Sequence, residues 1–216
     1  MFKGAIFDLD GVIVNTVPLH FEAWKKMFSE YKVKFDFQDY KAKVDGIPRY
    51  DGTKAILKGL SEKEIKEAGD RKQKFYLESI EKNGVEVYDS SVELIKELKY
   101  NNIKIAYASA SRNCRKILEK TGLSGLGDAI IDGNIITRGK PDPQIFLMAA
   151  EQINCKPAEC VVFEDAVLGV QAAINAKMVC VGIDRYQNSL RLVGANIIVE
   201  DLSGISYTQI LKLFAK

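Results

Sequence analysis

Two aspartates separated by one residue, Asp8 and Asp10, stand at the end of the apolar run GAIF near the start of the 216-residue chain. Carboxylates so close to an apolar segment repel each other unless a cation or a chemical task holds them there. A carboxylate can act as a nucleophile toward phosphorus if its charge is tempered so that an anionic phosphate can approach, and a hard, oxygen-ligated cation does this well. Further along, the pair Glu164 and Asp165 follows the run VVF, Ser109 follows IAYA, and Lys140 sits in GKPDP between Pro141 and a preceding glycine. Asp8, Glu164 and Asp165 could hold a divalent ion. Magnesium suits them, because Cys114, Cys155, Cys160 and Cys180 form no C-x-x-C pair and His20 is the single histidine. Lys140 would place a fixed positive charge against a transferred phosphoryl group, and Ser109 would add a hydroxyl and a backbone donor.

These residues act together only if the fold brings them together. Short apolar runs alternate with segments of helical period, the pattern of an α/β chain with a parallel sheet. Strands are expected near Gly4 to Leu9, Ile103 to Ala108, Ala129 to Ile131, Cys160 to Glu164, Met178 to Ile183 and Asn196 to Val199. Helices are expected at Ser111 to Lys120, Pro143 to Ile153, Ala166 to Ala176 and Tyr207 to Phe214. In an open parallel sheet the carboxyl ends of the strands share one edge, so Asp8, Ser109 and the Glu164–Asp165 pair would converge there. The alternation breaks between about 15 and 86, where Pro18 to Tyr31, Phe37 to Val44, Tyr50 to Lys58 and Glu62 to Lys82 all read as helices. The expected organisation is a Rossmann-like parallel-sheet core, residues 1–14 and 87–216, carrying an inserted all-helical cap, residues 15–86.

Composition narrows the function. With 31 basic against 29 acidic residues the charges nearly cancel, which gives no footprint for nucleic acid or an anionic membrane. No run reaches the ~18 apolar residues that a membrane span needs, and the first residues lack the basic leader and cleavage site of a signal peptide. A cytoplasmic chain with reduced thiols is expected.

The strings FDLDGVIVNT, SASRN, GKPDP and FEDAVLGV, in this order, resemble the motifs of the haloacid dehalogenase superfamily, and the likeness spans essentially the whole chain. The helical insert directly after the first motif resembles the cap of the beta-phosphoglucomutase subfamily. That resemblance implies a cap that closes over the active site, Asp8 as nucleophile, and Asp10 as the general acid and base. It also implies magnesium held by Asp8, the backbone carbonyl of Asp10, Glu164 and Asp165. Cap positions matching those that bind the sugar phosphate are His20, Trp24, Gly46, Arg49 and Lys72. Ser109, Ala110, Ser111, Arg112 and Asn113 match the phosphate-receiving loop. Arg49 could grip a distal phosphate with two parallel donors, and His20 could orient Asp10.

The chain departs from the pattern at Asn15, where many relatives carry a further aspartate, at Gly52, where some mutases carry a serine, and in a short stretch from Asp132 to Gly139. The string VDGIPRYDGT resembles a branch described as hydrolases. Three readings follow. The first is interconversion of beta-D-glucose 1-phosphate and glucose 6-phosphate through a bisphosphate. The second is a magnesium-dependent phosphatase of small sugar phosphates. The third is a binding protein that kept the fold and lost the chemistry, against which Asp8, Asp10, Ser109, Lys140 and Asp165 all stand. A cap that must open and shut suits a monomer.

Overall fold

A computed structural model describes residues 1–215 except 186 and 188, with only the backbone described at 189 and 190. Six strands form one parallel sheet: β1 (Gly4–Phe7), β2 (Lys104–Ala108), β3 (Ala129–Ile131), β4 (Cys160–Glu164), β5 (Val179–Ile183) and β6 (Ile197–Val199). Their order is β3-β2-β1-β4-β5-β6. The chain runs outward from β1 to one side and then returns to build the other side, so the topology reverses at β1, where open sheets leave a crevice. Phe7 is level with Tyr107 of β2 and with Phe163 of β4. Asp8 therefore leaves the sheet beside the ends of both neighbouring strands.

The central strands are buried on both faces, as parallel strands are. Their alternate residues feed two clusters. Phe7, Tyr107 and Phe163 pack with Leu94, Leu98 and Ile210 on one face. Those last three come from α5 (Asp89–Tyr100) and α9 (Tyr207–Phe214). On the other face Ile6, Ala106 and Val162 pack with Ile145, Phe146 and Val170. These come from α7 (Gln144–Gln152) and α8 (Val167–Asn175).

Between β1 and α5 the chain forms four helices: α1 (Val17–Glu30), α2 (Phe37–Lys43), α3 (Arg49–Ile56) and α4 (Glu62–Asn83). They bury a hydrophobic cluster of their own around Trp24, Met27, Phe28, Tyr40 and Ile65. Two of the four start with reciprocal caps, Asp36 with Asp39 and Ser61 with Glu64. The strand-like segments into and out of this unit run side by side: Val14 bridges Val87, and Asn15 bonds the backbone and carboxylate of Glu86. Among the described residues no helix is long and apolar enough to cross a membrane.

Local chemistry trims several expected elements. β1 ends at Phe7 rather than Leu9, because the Leu9 carbonyl accepts from both Ile13 and Val14 and turns the chain. The helix expected from Ser111 begins at Cys114 (α6, Cys114–Lys120). Ser109 and Ser111 take the backbone N–H groups of Ser111 and Asn113 with their hydroxyls, which holds that segment as a loop. β5 starts at Val179 because the Met178 N–H caps the Ala173 carbonyl at the end of α8.

Candidate active site

Asp8 follows β1 and is 6% exposed. Its Oδ1 accepts from Lys140 Nζ at 2.6 Å, and the same ammonium bonds the fully buried Glu164. The second oxygen of Glu164 accepts the Ala166 N–H at 2.7 Å. Lys140 thus lies under the floor between two carboxylates that emerge from adjacent strands. Burial, with the charges of Glu164 and Asp10 added, pushes the Asp8 carboxyl well above the usual range, against the pull of Lys140. Lys140 moves upward in spite of burial, because Asp8 and Glu164 surround it. Asp165 is pushed up to about 7 by burial and by the neighbouring Asp45 and Glu164, with Lys41 opposing.

Asp10 stands opposite Asp8 in character. Burial alone would raise it, but His20, Thr16 and Ser109 outweigh that and hold it at about 2. The Thr16 hydroxyl donates to one of its oxygens, Ser109 Oγ donates to the other at 3.2 Å, and His20 Nε2 lies 3.3 Å from the first. Thr16 precedes α1 and makes no side-chain cap for that helix; its hydroxyl serves Asp10 instead. Held ionised at neutral pH, Asp10 is in the state that can take a proton from an attacking hydroxyl.

His20 and Lys72 extend this chain into the helical unit. Lys72 Nζ lies 2.7 Å from His20 Nδ1, and the His20 ring stacks on Tyr76. Burial and the Lys72 charge lower the histidine. Burial, with Arg49 adding to it, takes Lys72 from its ordinary 10.5 down to about 7. Below pH 7 the folded and unfolded states both carry the charge, and the cost of the buried ammonium is fully present. Between 7 and 10.5 the unfolded chain holds a proton that the folded chain has lost, so stability rises with pH across that window. Urea denaturation at pH 7 and 9.5 should show the native chain gaining on the order of 1–3 kcal/mol relative to Lys72→Met. Parallel curves for the two proteins would contradict the placement of Lys72.

Of the remaining residues named from sequence, Trp24 is nearly buried, stacked on Phe28, with Lys72 over its ring. Arg49 Nη2 bonds the Tyr50 hydroxyl at 2.9 Å and Asp70 at 3.1 Å. Arg112 lies over the Tyr50 ring, 5.4 Å from its centre. Gly46 has a φ of +75°, open to glycine at little cost, and an added Cβ would press on Ala166. Gly11 is likewise at φ +82°, and a side chain there would collide with the Asp165 carboxylate. Every site residue named from the sequence except Lys140 lines one cavity between the helical unit and the sheet edge.

Asp8, Glu164, Asp165 and the Asp10 carbonyl offer only oxygen atoms to a metal, which fits magnesium. Among the described residues no three His, Cys, Asp or Glu groups converge as a ready cage. Mg²⁺ usually takes one or two carboxylates and fills its remaining positions with water and phosphate, so Asp8, Asp165 and the Asp10 carbonyl suffice in kind. Glu164 is already bonded to Lys140 and the Ala166 N–H.

Sequence reasoning missed several lining residues. Tyr50 ties Arg49 to Asp70, and Gln73 of α4 exchanges two amide hydrogen bonds with Asn113 of the phosphate-type loop. Lys41 pairs with Asp45, four residues on, and bonds Asp165. The four-residue spacing of opposite charges was the available signal for that last pair.

Comparison with known proteins adds a decisive match: the family model for haloacid dehalogenase-like hydrolases covers residues 2–177. The chain belongs to that family. Among haloacid dehalogenase-like proteins it is similar to the beta-phosphoglucomutase of Bacillus subtilis, 37% identical over 94% of this chain and 92% of that protein. It is also similar to a phosphorylated carbohydrates phosphatase of Thermotoga maritima, 31% identical over 85% of this chain and 83% of that one. A crystal structure of beta-phosphoglucomutase from Clostridium difficile superimposes with a TM-score of 0.91 at 31% identity, covering 100% of this chain and 98% of that one. The Rossmann-like α/β fold expected from the sequence is the family's fold.

Proposed function

We propose that this enzyme is a phosphotransferase that interconverts beta-D-glucose 1-phosphate and glucose 6-phosphate. Phosphorylated Asp8 gives its phosphoryl group to the 6-hydroxyl of beta-glucose 1-phosphate: the hydroxyl oxygen attacks phosphorus, the bond from phosphorus to Asp8 breaks, and Asp10 takes the hydroxyl proton. The sugar bisphosphate so formed turns over in the site. Asp8 then attacks the other phosphorus, its bond to the sugar oxygen breaks, and Asp10 returns the same proton to that oxygen, leaving glucose 6-phosphate and phosphorylated Asp8. Lys140 and the Ser109 loop offset the charge that develops on the transferred group. Asp8, Asp165 and the Asp10 carbonyl, with Glu164 behind them, would hold Mg²⁺, which when bound supplies electrostatic shielding between carboxylate and phosphate.

One observation carries the choice of a sugar acceptor over water. Asp10 is oriented in part by His20 and through it by Lys72, both from the helical unit. We take residues 15–86 as a cap on a core of residues 1–14 and 87–216. Seating of that cap completes the proton carrier as it excludes bulk water, so transfer to a bound sugar is favoured over hydrolysis. Arg49, His20, Trp24, Gly46 and Lys72 would read the sugar phosphate from the cap side, and Ala110, Ser111, Arg112 and Asn113 from the core side. A mobile cap suits a monomer, and a phosphorylated sugar substrate suits the cytoplasm.

The reading is tested by supplying beta-glucose 1-phosphate, Mg²⁺ and a trace of the 1,6-bisphosphate and following both products. Glucose 6-phosphate should form in large excess over free phosphate. Free phosphate without glucose 6-phosphate would make the enzyme a phosphatase of sugar phosphates, the activity carried in the name of the Thermotoga maritima relative.

A further inference from the structure

Lys41 points inward from α2 with its side chain 7% exposed, an unusual place for an ammonium on a short surface helix. Its contacts include Asp45, four residues on, and Oδ2 of Asp165 at 3.0 Å, both themselves buried. Asp165 is 124 residues away in sequence and stands at the end of β4. The neighbourhood is built for close approach. Gly46, next to Asp45, comes so near Ala166 that a Cβ would touch it, and Arg191 fixes the Asp165 carbonyl from the far side at 3.2 Å.

We infer that Lys41 is the tether that holds the cap on the core: a cap-borne ammonium, carried with Asp45 as its own counter-ion, that docks onto the Asp165 carboxylate. The inference rests on residues 15–86 moving as a unit, which belongs to the functional reading above. The physics is asymmetric between the two carboxylates. The Lys41–Asp45 contact lies within the cap and survives opening, whereas the contact with Asp165 exists only when the cap is seated. Opening leaves Lys41 with Asp45 but takes away the partner of Asp165, and seating restores a charge-assisted bond between the two elements. Lys41 also spends its contact on one oxygen of Asp165, which orients the carboxylate and leaves Oδ1 directed elsewhere. It is therefore a positioning residue for Asp165 as well as a closure device.

The test is small-angle X-ray scattering of the full-length, metal-free protein, with each curve fitted as a mixture of closed and open forms. Wild type should scatter as the closed form. Lys41→Met should lower the closed-to-open ratio at least ~10-fold, and Lys41→Arg should restore it by keeping the charge. Asp45→Asn should stay closed, because the bond to Asp165 is retained. Equal closure in wild type and Lys41→Met would overturn the inference, as would opening by Asp45→Asn to the same degree, which would mark mere damage to a buried site. Should Lys41→Met fail to fold by circular dichroism, Lys41→Met/Asp45→Asn replaces it with the same expectation and the same contrary result. These readouts use no substrate, so they stand apart from the product assay: absence of phosphoryl transfer by wild type would remove the functional reading and leave the scattering result untouched.

Discussion

Asp8→Asn lowers kcat by ~10⁴-fold or more and leaves the folded chain at least as stable as wild type. The activity is lost because an amide oxygen is too weak a nucleophile to form the ester link to phosphorus, and nothing nearby can take its place. Asp10 is the other carboxylate on the loop, but Thr16, Ser109 and His20 tie both its oxygens. Stability moves the other way. Burial beside Glu164 and Asp10 disfavours the ionised Asp8, so its folded-state pKa lies above the unfolded value and the charge is a burden at neutral pH. An uncharged isostere removes that burden, and Lys140 keeps Glu164 as its partner. Steady-state rates and thermal midpoints at pH 7 check both halves, and a stability loss of several degrees would show that the Asp8–Lys140 pair outweighs the repulsion.

Lys140→Met should damage both properties together. Lys140 is 4% exposed and its ammonium bonds Asp8 and Glu164, so its removal leaves two buried carboxylates without a counter-charge. Breaking a buried pair in this manner costs about 3–5 kcal/mol. The loss of charge against the transferred phosphoryl should lower kcat about 10²–10³-fold. Pairing the change with Glu164→Gln separates the two effects. The double variant should regain much of the stability, because one stranded charge is gone, while activity stays low. Urea midpoints for the four proteins of that cycle provide the measurement. Additive losses would show that Lys140 and Glu164 are not coupled.

Much of this was legible in the amino-acid order, and for identifiable reasons. The runs ending at Ile131 and Glu164 match β3 and β4 to the residue, because uninterrupted apolar segments bounded by polar residues leave little choice of register. Convergence of Asp8, Ser109 and Asp165 on one cavity followed from sheet topology, since β1 sits between β2 and β4. The position of Asp10 among His20, Thr16 and Ser109 was half visible: His20 was expected beside it, but nothing in the sequence singled out Thr16. Helix and strand ends were less legible because they depend on which hydroxyl or amide captures a backbone group, as at Ser109 and Ser111. Contacts between remote surfaces were not legible at all. Gln73 with Asn113, and Lys41 with Asp165, join polar residues whose neighbours in sequence give no sign of a partner. Burial turns Lys41 from one lysine among many into a specific contact, and burial is a property of the packed whole.

Covalent capture of the phosphorylated enzyme bears most directly on the mechanism. The protein would be incubated with Mg²⁺ and the glucose bisphosphate, quenched within milliseconds in cold acid, reduced with borohydride, which converts an acyl phosphate into an alcohol, and digested for mass spectrometry. The expected product is the peptide that spans GAIFDLDGVIVNT with homoserine at position 8 and an unmodified Asp10. Reduction at another residue, or an untouched Asp8 in an enzyme that is turning over, would contradict an aspartyl-phosphate on Asp8.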